Sequence, residues 1–258
     1  MSRILTTMHG NLVGLNSDRM VQCGRGFKAG EHGSQRTYGS PYTVEFWDDF
    51  VGDVIADQWN YVEGAAGQAD AAILAGGIGG VVRLTTGAVG TAATDLTGLT
   101  QALQWQASNG NLSIEARFKI SAITNCYMFF GFTDVVTVEA PVTLSGTTFT
   151  TTASDAVGFL FDTAATTDTW RLVGVAADVD ATMQDTSLAP VADTYATFRI
   201  SISATGVATF YYNSVQVGTA MSGAVTAATD LTPCIYATVN AAAARTLDLD
   251  YMHVSMKR

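Results

Sequence analysis

The chain has 258 residues, 48% hydrophobic and 14% charged, with a formal net charge of −10. That length suits one large all-β domain, and that apolar fraction can build a core without disulfides or a structural metal. An acidic chain lacks the lysine and arginine surplus that phosphate contacts require, which argues against nucleic acid as a partner.

The charge is uneven along the chain. Residues 1–40 carry Arg3, Arg19, Arg25, Lys28 and Arg36 against Asp18 and Glu31, a balance of +3; the remainder carries −13. Residues 1–43 show no sustained period of 2 or 3.6, yet they hold Ile4, Leu5, Leu12, Val13, Leu15, Met20, Val21 and Phe27. A solvated tail has little use for so many apolar groups. The segment reads as an extended attachment arm, with the five cations and Phe27 as its contact residues. It has no continuous apolar h-region, and nowhere does the chain reach the ~18 apolar residues of a membrane span. Neither a secretory signal nor a membrane partner is expected. Cys23, Cys126 and Cys234 are odd in number and far apart, against a disulfide framework or a zinc site.

From residue 44 the chain reads as β, giving a second unit over 44–258. It opens on VEFWDDFVGDVIADQWNYVEG, where Asp48 and Asp49 sit between Trp47 and Phe50. Adjacent residues of a strand face opposite ways, so these two acids cannot form a dyad with each other. The glycine-rich run at 76–80 reads as a turn. In NLSIEARFKI (111–120), Leu112, Ile114, Ala116, Phe118 and Ile120 alternate with Ser113, Glu115, Arg117 and Lys119, giving one buried and one wet face. CYMFFGF (126–132) and VGFLF (157–161) are continuous apolar runs suited to strands covered on both faces. LSGTTFTTTASD (144–155) and AATTDT (164–169) read as turn-rich spacers. TFRISIS (197–203) repeats the alternation, and Asn213-Ser214 reads as a tight turn between VATFYY and SVQV. In the closing LDLDYMHVSM, Leu247 and Leu249 share one parity while Met252, Val254 and Met256 share the other. The phase changes near Asp250, which predicts a bulge or a switch of burial.

The order of these pieces, from FWDDF through IEARFK, VGFLFD with Trp170, and TFRISIS…VATFYYNSVQV to LDLDYMHVSMKR, resembles the concanavalin-A-like, laminin-G-like jelly roll of legume lectins and family 16 glycoside hydrolases. The resemblance implies an all-β sandwich of two antiparallel sheets over 44–258, with FWDDF and DLDYMHV as neighbours. The family's catalytic strand resembles E-x-D-x-x-E. None of the five glutamates, Glu31, Glu45, Glu63, Glu115 and Glu139, starts such a motif, so no catalytic residue is assigned. His9, His32 and His253 lack ligand spacing. The resemblance makes Asp250 a candidate structural calcium ligand, against a carboxylate held by backbone N–H groups or an arginine; no other cofactor is expected.

The missing motif and the basic arm fit a virion structural protein of the tailed-phage head-decoration (cement) kind, on the capsid surface. Its expected partners are the major capsid protein, bound through the arm, and sister copies in a homotrimer. The alternative is a carbohydrate-binding module or receptor-binding fibre domain, with Trp105, Tyr211 or Trp170 stacking on surface glycans. A divergent family 16-like hydrolase is the third reading.

Overall fold

The computed structural model describes residues 42–64, 69–77, 79–90 and 95–258. Arg3, Arg19, Arg25, Phe27, Lys28 and Arg36, the predicted arm contacts, lie outside the described residues. The first strands are β1 (Thr43–Asp48), β2 (Asn60–Glu63), β3 (Asp70–Ile73), β4 (Val82–Thr85) and β5 (Thr97–Thr100). Long strands β6 (Leu112–Ile120) and β7 (Cys126–Thr133) follow, then β8 (Val142–Ser145) and β9 (Thr148–Thr151). Next come β10 (Ala156–Asp162), β11 (Arg171–Ala176), β12 (Val179–Asp180) and β13 (Gln184–Asp185). The chain closes with β14 (Ala196–Ile202), β15 (Ala208–Tyr212), β16 (Val215–Met221), β17 (Thr232–Val239) and β18 (Thr246–Lys257).

These strands build two eight-stranded antiparallel sheets, as the alternating pattern and the resemblance both predict. Sheet A runs β16-β15-β14-β6-β18-β4-β3, with β1 also on β18; sheet B runs β12-β11-β10-β7-β17-β5-β2, with β13 on β11. The strict alternation of β6 and β14 turns Ile114, Phe118, Phe198 and Ile200 inward. Between the sheets Phe118 stacks on Phe198 at 4.3 Å, and Trp170 meets Phe198 edge-on at 4.8 Å. Such rings bury large apolar areas and dominate the core.

The opening and closing strands pair as predicted, with Phe46 opposite Val254 and Trp47 opposite His253. The phase change at Asp250 is a register shift between Leu249 and Tyr251 in the β18–β6 ladder. Leu247 and Leu249 before it, and Met252 and Val254 after it, therefore all point inward and are fully buried. Asn213 and Ser214 both have positive φ (48° and 67°), the backbone of a two-residue hairpin turn whose twist matches its strands.

Every residue of β7 and β10 is buried, in agreement with strands covered on both faces. The cover is partly the stretch 144–155, read from sequence as a spacer; it forms most of the β8–β9 hairpin instead. Val142 and Leu144 pack with Tyr127, Phe129, Leu160, Val173 and Tyr236 in a second apolar layer outside sheet B. The only large apolar side chains of that stretch, Leu144 and Phe149, are embedded among threonines, so composition favoured a turn.

Much of the acidity is spent internally. Asp48, Asp95, Asp155 and Asp162 are buried, and each accepts at least two N–H or O–H hydrogen bonds. A buried carboxylate with such donors needs no metal. Asp48 accepts the Trp59 indole N–H at 2.7 Å and the Phe50 N–H at 2.8 Å, tying the end of β1 to the core. Burial pushes its carboxyl up, and these two donors oppose the shift. Asp48→Ala leaves both N–H groups unpaired and should cost about 2–3 kcal/mol in urea unfolding; an unchanged midpoint would contradict this role.

Candidate functional site

The two outer faces of the sandwich differ. On sheet B the centre of the outer face lies under the β8–β9 hairpin, whose Leu144 N–H donates to Asp162 and whose Val142 carbonyl accepts the Tyr127 hydroxyl at 2.7 Å. On sheet A the outward positions of β6, β14 and β15 are half-buried side chains that no element covers among the described residues.

Cross-strand register puts this outer face in rows. One row reads Trp47 (β1), His253 (β18), Glu115 (β6), Arg199 (β14), Tyr211 (β15) and Gln216 (β16). Trp47 stacks on the diagonal neighbour Tyr251, with centroids 4.8 Å apart and planes 14° apart. The Tyr251 hydroxyl donates to Glu115 at 2.8 Å, and burial together with that carboxylate pushes the phenol up to about 12. Tyr251 therefore stays a donor at neutral pH. The Arg199 guanidinium lies 3.9 Å above the Tyr211 ring and reaches the other Glu115 oxygen at 3.9 Å. Burial lowers the His253 imidazole below its ordinary range, against the pull of Glu45 and Glu115.

Further along the strands the face becomes an ion-pair network. Asp248, only 4% exposed, takes a two-pronged contact from Arg83 at 2.7 and 2.8 Å and a Lys119 contact at 3.5 Å. Burial pushes the Asp248 carboxyl up, but Arg83 and Lys119 outweigh it and hold the group below the usual carboxylate range. Arg117 pairs with Asp250 and lies 4.3 Å from the Tyr195 ring centroid.

Asp250 therefore sits on the outer face beside an arginine, at the bulge, rather than pointing inward with Met252 and Val254. No group of three His, Cys, Asp or Glu side chains among the described residues is arranged to hold a metal ion. Of the aromatics expected to meet a ligand, Trp105 and Trp170 are each 2% exposed and belong to the core, while Tyr211 lies on the open face. Trp59 and Phe50 are also core. Asp48 faces inward, opposite Met252, and Asp49 lies just past the end of β1. Glu115 accepts from Tyr251 and faces Arg199 on the neighbouring strand. The contribution of Trp47, Tyr251 and Arg199 to one surface escaped the sequence, because alternation gives the facing of each strand but not its register against the next. Chemically, the row offers flat rings beside fixed donors and acceptors, suited to a ligand with both apolar faces and hydroxyl groups.

No protein-family profile and no curated protein matches the sequence. Solved structures do. A Bacillus licheniformis β-glucanase superposes with a TM-score of 0.56 at 12% identity, over 83% of this chain and 98% of its own. A Bacteroides ovatus mixed linkage glucan GH16 protein, in complex with its G4G4G3G product, gives 0.57 at 11% identity over 81% and 99%. The carbohydrate recognition domain of Emp47p gives 0.54 at 11% identity over 89% and 99%. Together with the two antiparallel sheets, these likenesses establish the fold as a concanavalin-A-like jelly-roll sandwich.

The Asp248 cluster carries a pH signature. A carboxyl lowered from 3.8 in the folded state stabilises the protein above 3.8, and that contribution is lost as pH falls through the folded value. Asp248→Asn should cost about 2 kcal/mol at neutral pH. The gap between variant and wild type, followed by thermal unfolding, should close as pH drops below 3.8. A gap that stays constant down to acid pH would contradict the ion-pair account.

Proposed function

We propose that this chain is a non-catalytic, glycan-binding jelly roll whose recognition surface is the outer face of sheet A. The observation that carries this reading is the half-buried row Trp47–His253–Glu115–Arg199–Tyr211, which no element covers among the described residues, while the centre of sheet B is closed by its own hairpin. A pyranose ring has C–H faces that pack on aromatic rings and equatorial hydroxyls that meet carboxylate, guanidinium and phenol groups. The fold supports the reading, since it is shared with a β-glucanase and a carbohydrate recognition domain. The absence of an E-x-D-x-x-E strand and the covered face of sheet B support binding without turnover.

A second reading, compatible with the first, makes the chain a virion structural protein. Its support is the charge asymmetry: a leader of +3, with Arg3, Arg19, Arg25, Lys28 and Arg36 beside Phe27, precedes a body of −13. Such an arm would attach the jelly roll to acidic surfaces of a major capsid protein, around which it would sit as a decorating homotrimer. Equal capsid occupancy with and without residues 1–40 would remove this reading.

The primary test is affinity electrophoresis in gels containing mixed-linkage β-glucan. The chain should be retarded, Tyr211→Ala should weaken retention by about tenfold in Kd, and no reducing ends should be released. Unretarded migration would contradict glycan binding, and release of reducing ends would contradict the non-catalytic assignment.

A further inference from the structure

Two residues along each strand from the aromatic row lies a second row of different character. Ser255 (β18), Ser113 (β6), Ser201 (β14) and Thr209 (β15) stand side by side in register, with Glu45 (β1) at one end. All are outward positions of their strands and all are half-buried. Adjacent strands lie ~4.8 Å apart, so the five positions span about 19 Å across the strands. The side chains here are short, whereas Trp47, His253, Arg199 and Tyr211 in the neighbouring row are long. The result is a shelf backed by a ridge. None of the four hydroxyls is hydrogen-bonded within the described protein, unlike the Ser203–Thr205 and Thr167–Thr169 pairs on the loops. Four free hydroxyls on four neighbouring strands present donors and acceptors at a regular spacing.

The charges beside the shelf favour a ligand without charge. Four cations of the face already have a protein counter-ion: Arg83 with Asp248, Lys119 with Asp248 and Asp193, Arg117 with Asp250, and Arg199 with Glu115; Lys257, exposed at the end of β18, has no ion pair among the described residues. Glu45 adds a further acid at the end of the shelf. An anionic polymer would have to displace these carboxylates and then face them, at a desolvation cost that the paired arginines would not return. A neutral polyol meets paired groups that keep spare hydrogen-bonding capacity.

We infer, resting on the glycan-binding reading above, that the ligand is an uncharged linear glycan lying across the strands along the Ser255–Ser113–Ser201–Thr209 shelf, flanked by the aromatic ridge. The test titrates the full chain with mixed-linkage β-glucan and, at equal ionic strength, with polygalacturonate. Ser113→Gln/Ser201→Gln fills the shelf, Ser113→Ala/Ser201→Ala removes two hydroxyls with little change of shape, and Thr148→Gln on the exposed β9 is the control. The expected result is glucan binding by wild type and control, a loss of at least about tenfold for the Gln pair and a smaller loss for the Ala pair, and no polygalacturonate binding. Wild-type glucan affinity in both serine pairs would overturn the shelf while leaving glycan binding in place. Preference for polygalacturonate would overturn the uncharged class alone. Failure of wild type to bind either polymer would overturn both this inference and the function on which it rests.

Discussion

The β-bulge at Asp250 is the constraint on which the open face depends. β18 is twelve residues long and pairs with β6 on one side and with β4 and then β1 on the other. Without a register shift, its period-2 alternation would turn either Leu247 and Leu249 or Met252, Val254 and Met256 toward water. The extra residue lets both halves face the core. The same shift turns Tyr251, His253 and Ser255 outward, where they join the rows contributed by β1, β6, β14 and β15. Arg117 meets Asp250 at the bulge and gives the displaced residue a partner.

The two sheets divide the work of the molecule. Sheet B is buried on both sides through β7, β10 and β17, with the inner core beneath and the β8–β9 layer above. Sheet A has a core side and a polar side, and the polar side is organised rather than merely solvated. Its charges are paired in a chain from Arg83 through Asp248 and Lys119 to Asp193, its rings are stacked or capped by guanidinium groups, and its short hydroxyls are aligned. Acidity elsewhere is drawn inward: Asp48, Asp95, Asp155 and Asp162 hold loops and strand ends through backbone N–H groups. Of the cations after residue 43, Arg83, Arg117, Lys119 and Arg199 gather on this face, while Arg171 pairs with Asp185 on sheet B and Arg245 donates to the Thr124 carbonyl.

Much of the fold was legible where parity is strict. The alternation of 111–120 and 197–203, the change of phase at Asp250 and the Asn213-Ser214 turn all follow from local spacing, and all are present. The neighbouring of FWDDF and DLDYMHV came from the order of motifs, since nothing local ties residues about two hundred positions apart. What stayed hidden depends on tertiary contact. Threonine-rich 144–155 gave no sign of forming a cover, because only a few of its side chains need to be apolar to seal sheet B. Trp105 and Trp170 are stacking candidates under the carbohydrate-binding alternative, and both lie in the core instead, since nothing local in the sequence tells a buried ring from an exposed one. The serine and threonine shelf joins residues from four strands, and a one-residue slip in any ladder would break it.

The four tryptophans give the most direct measurement, because only Trp47 stands on the open face while Trp59, Trp105 and Trp170 are buried. In a nitrogen-15 indole spectrum titrated with a soluble mixed-linkage β-glucan oligosaccharide, the Trp47 resonance, assigned through Trp47→Phe, should move with added ligand while the other three hold their positions. Movement confined to the buried indoles, or saturating binding with Trp47 unmoved, would contradict a recognition surface on sheet A.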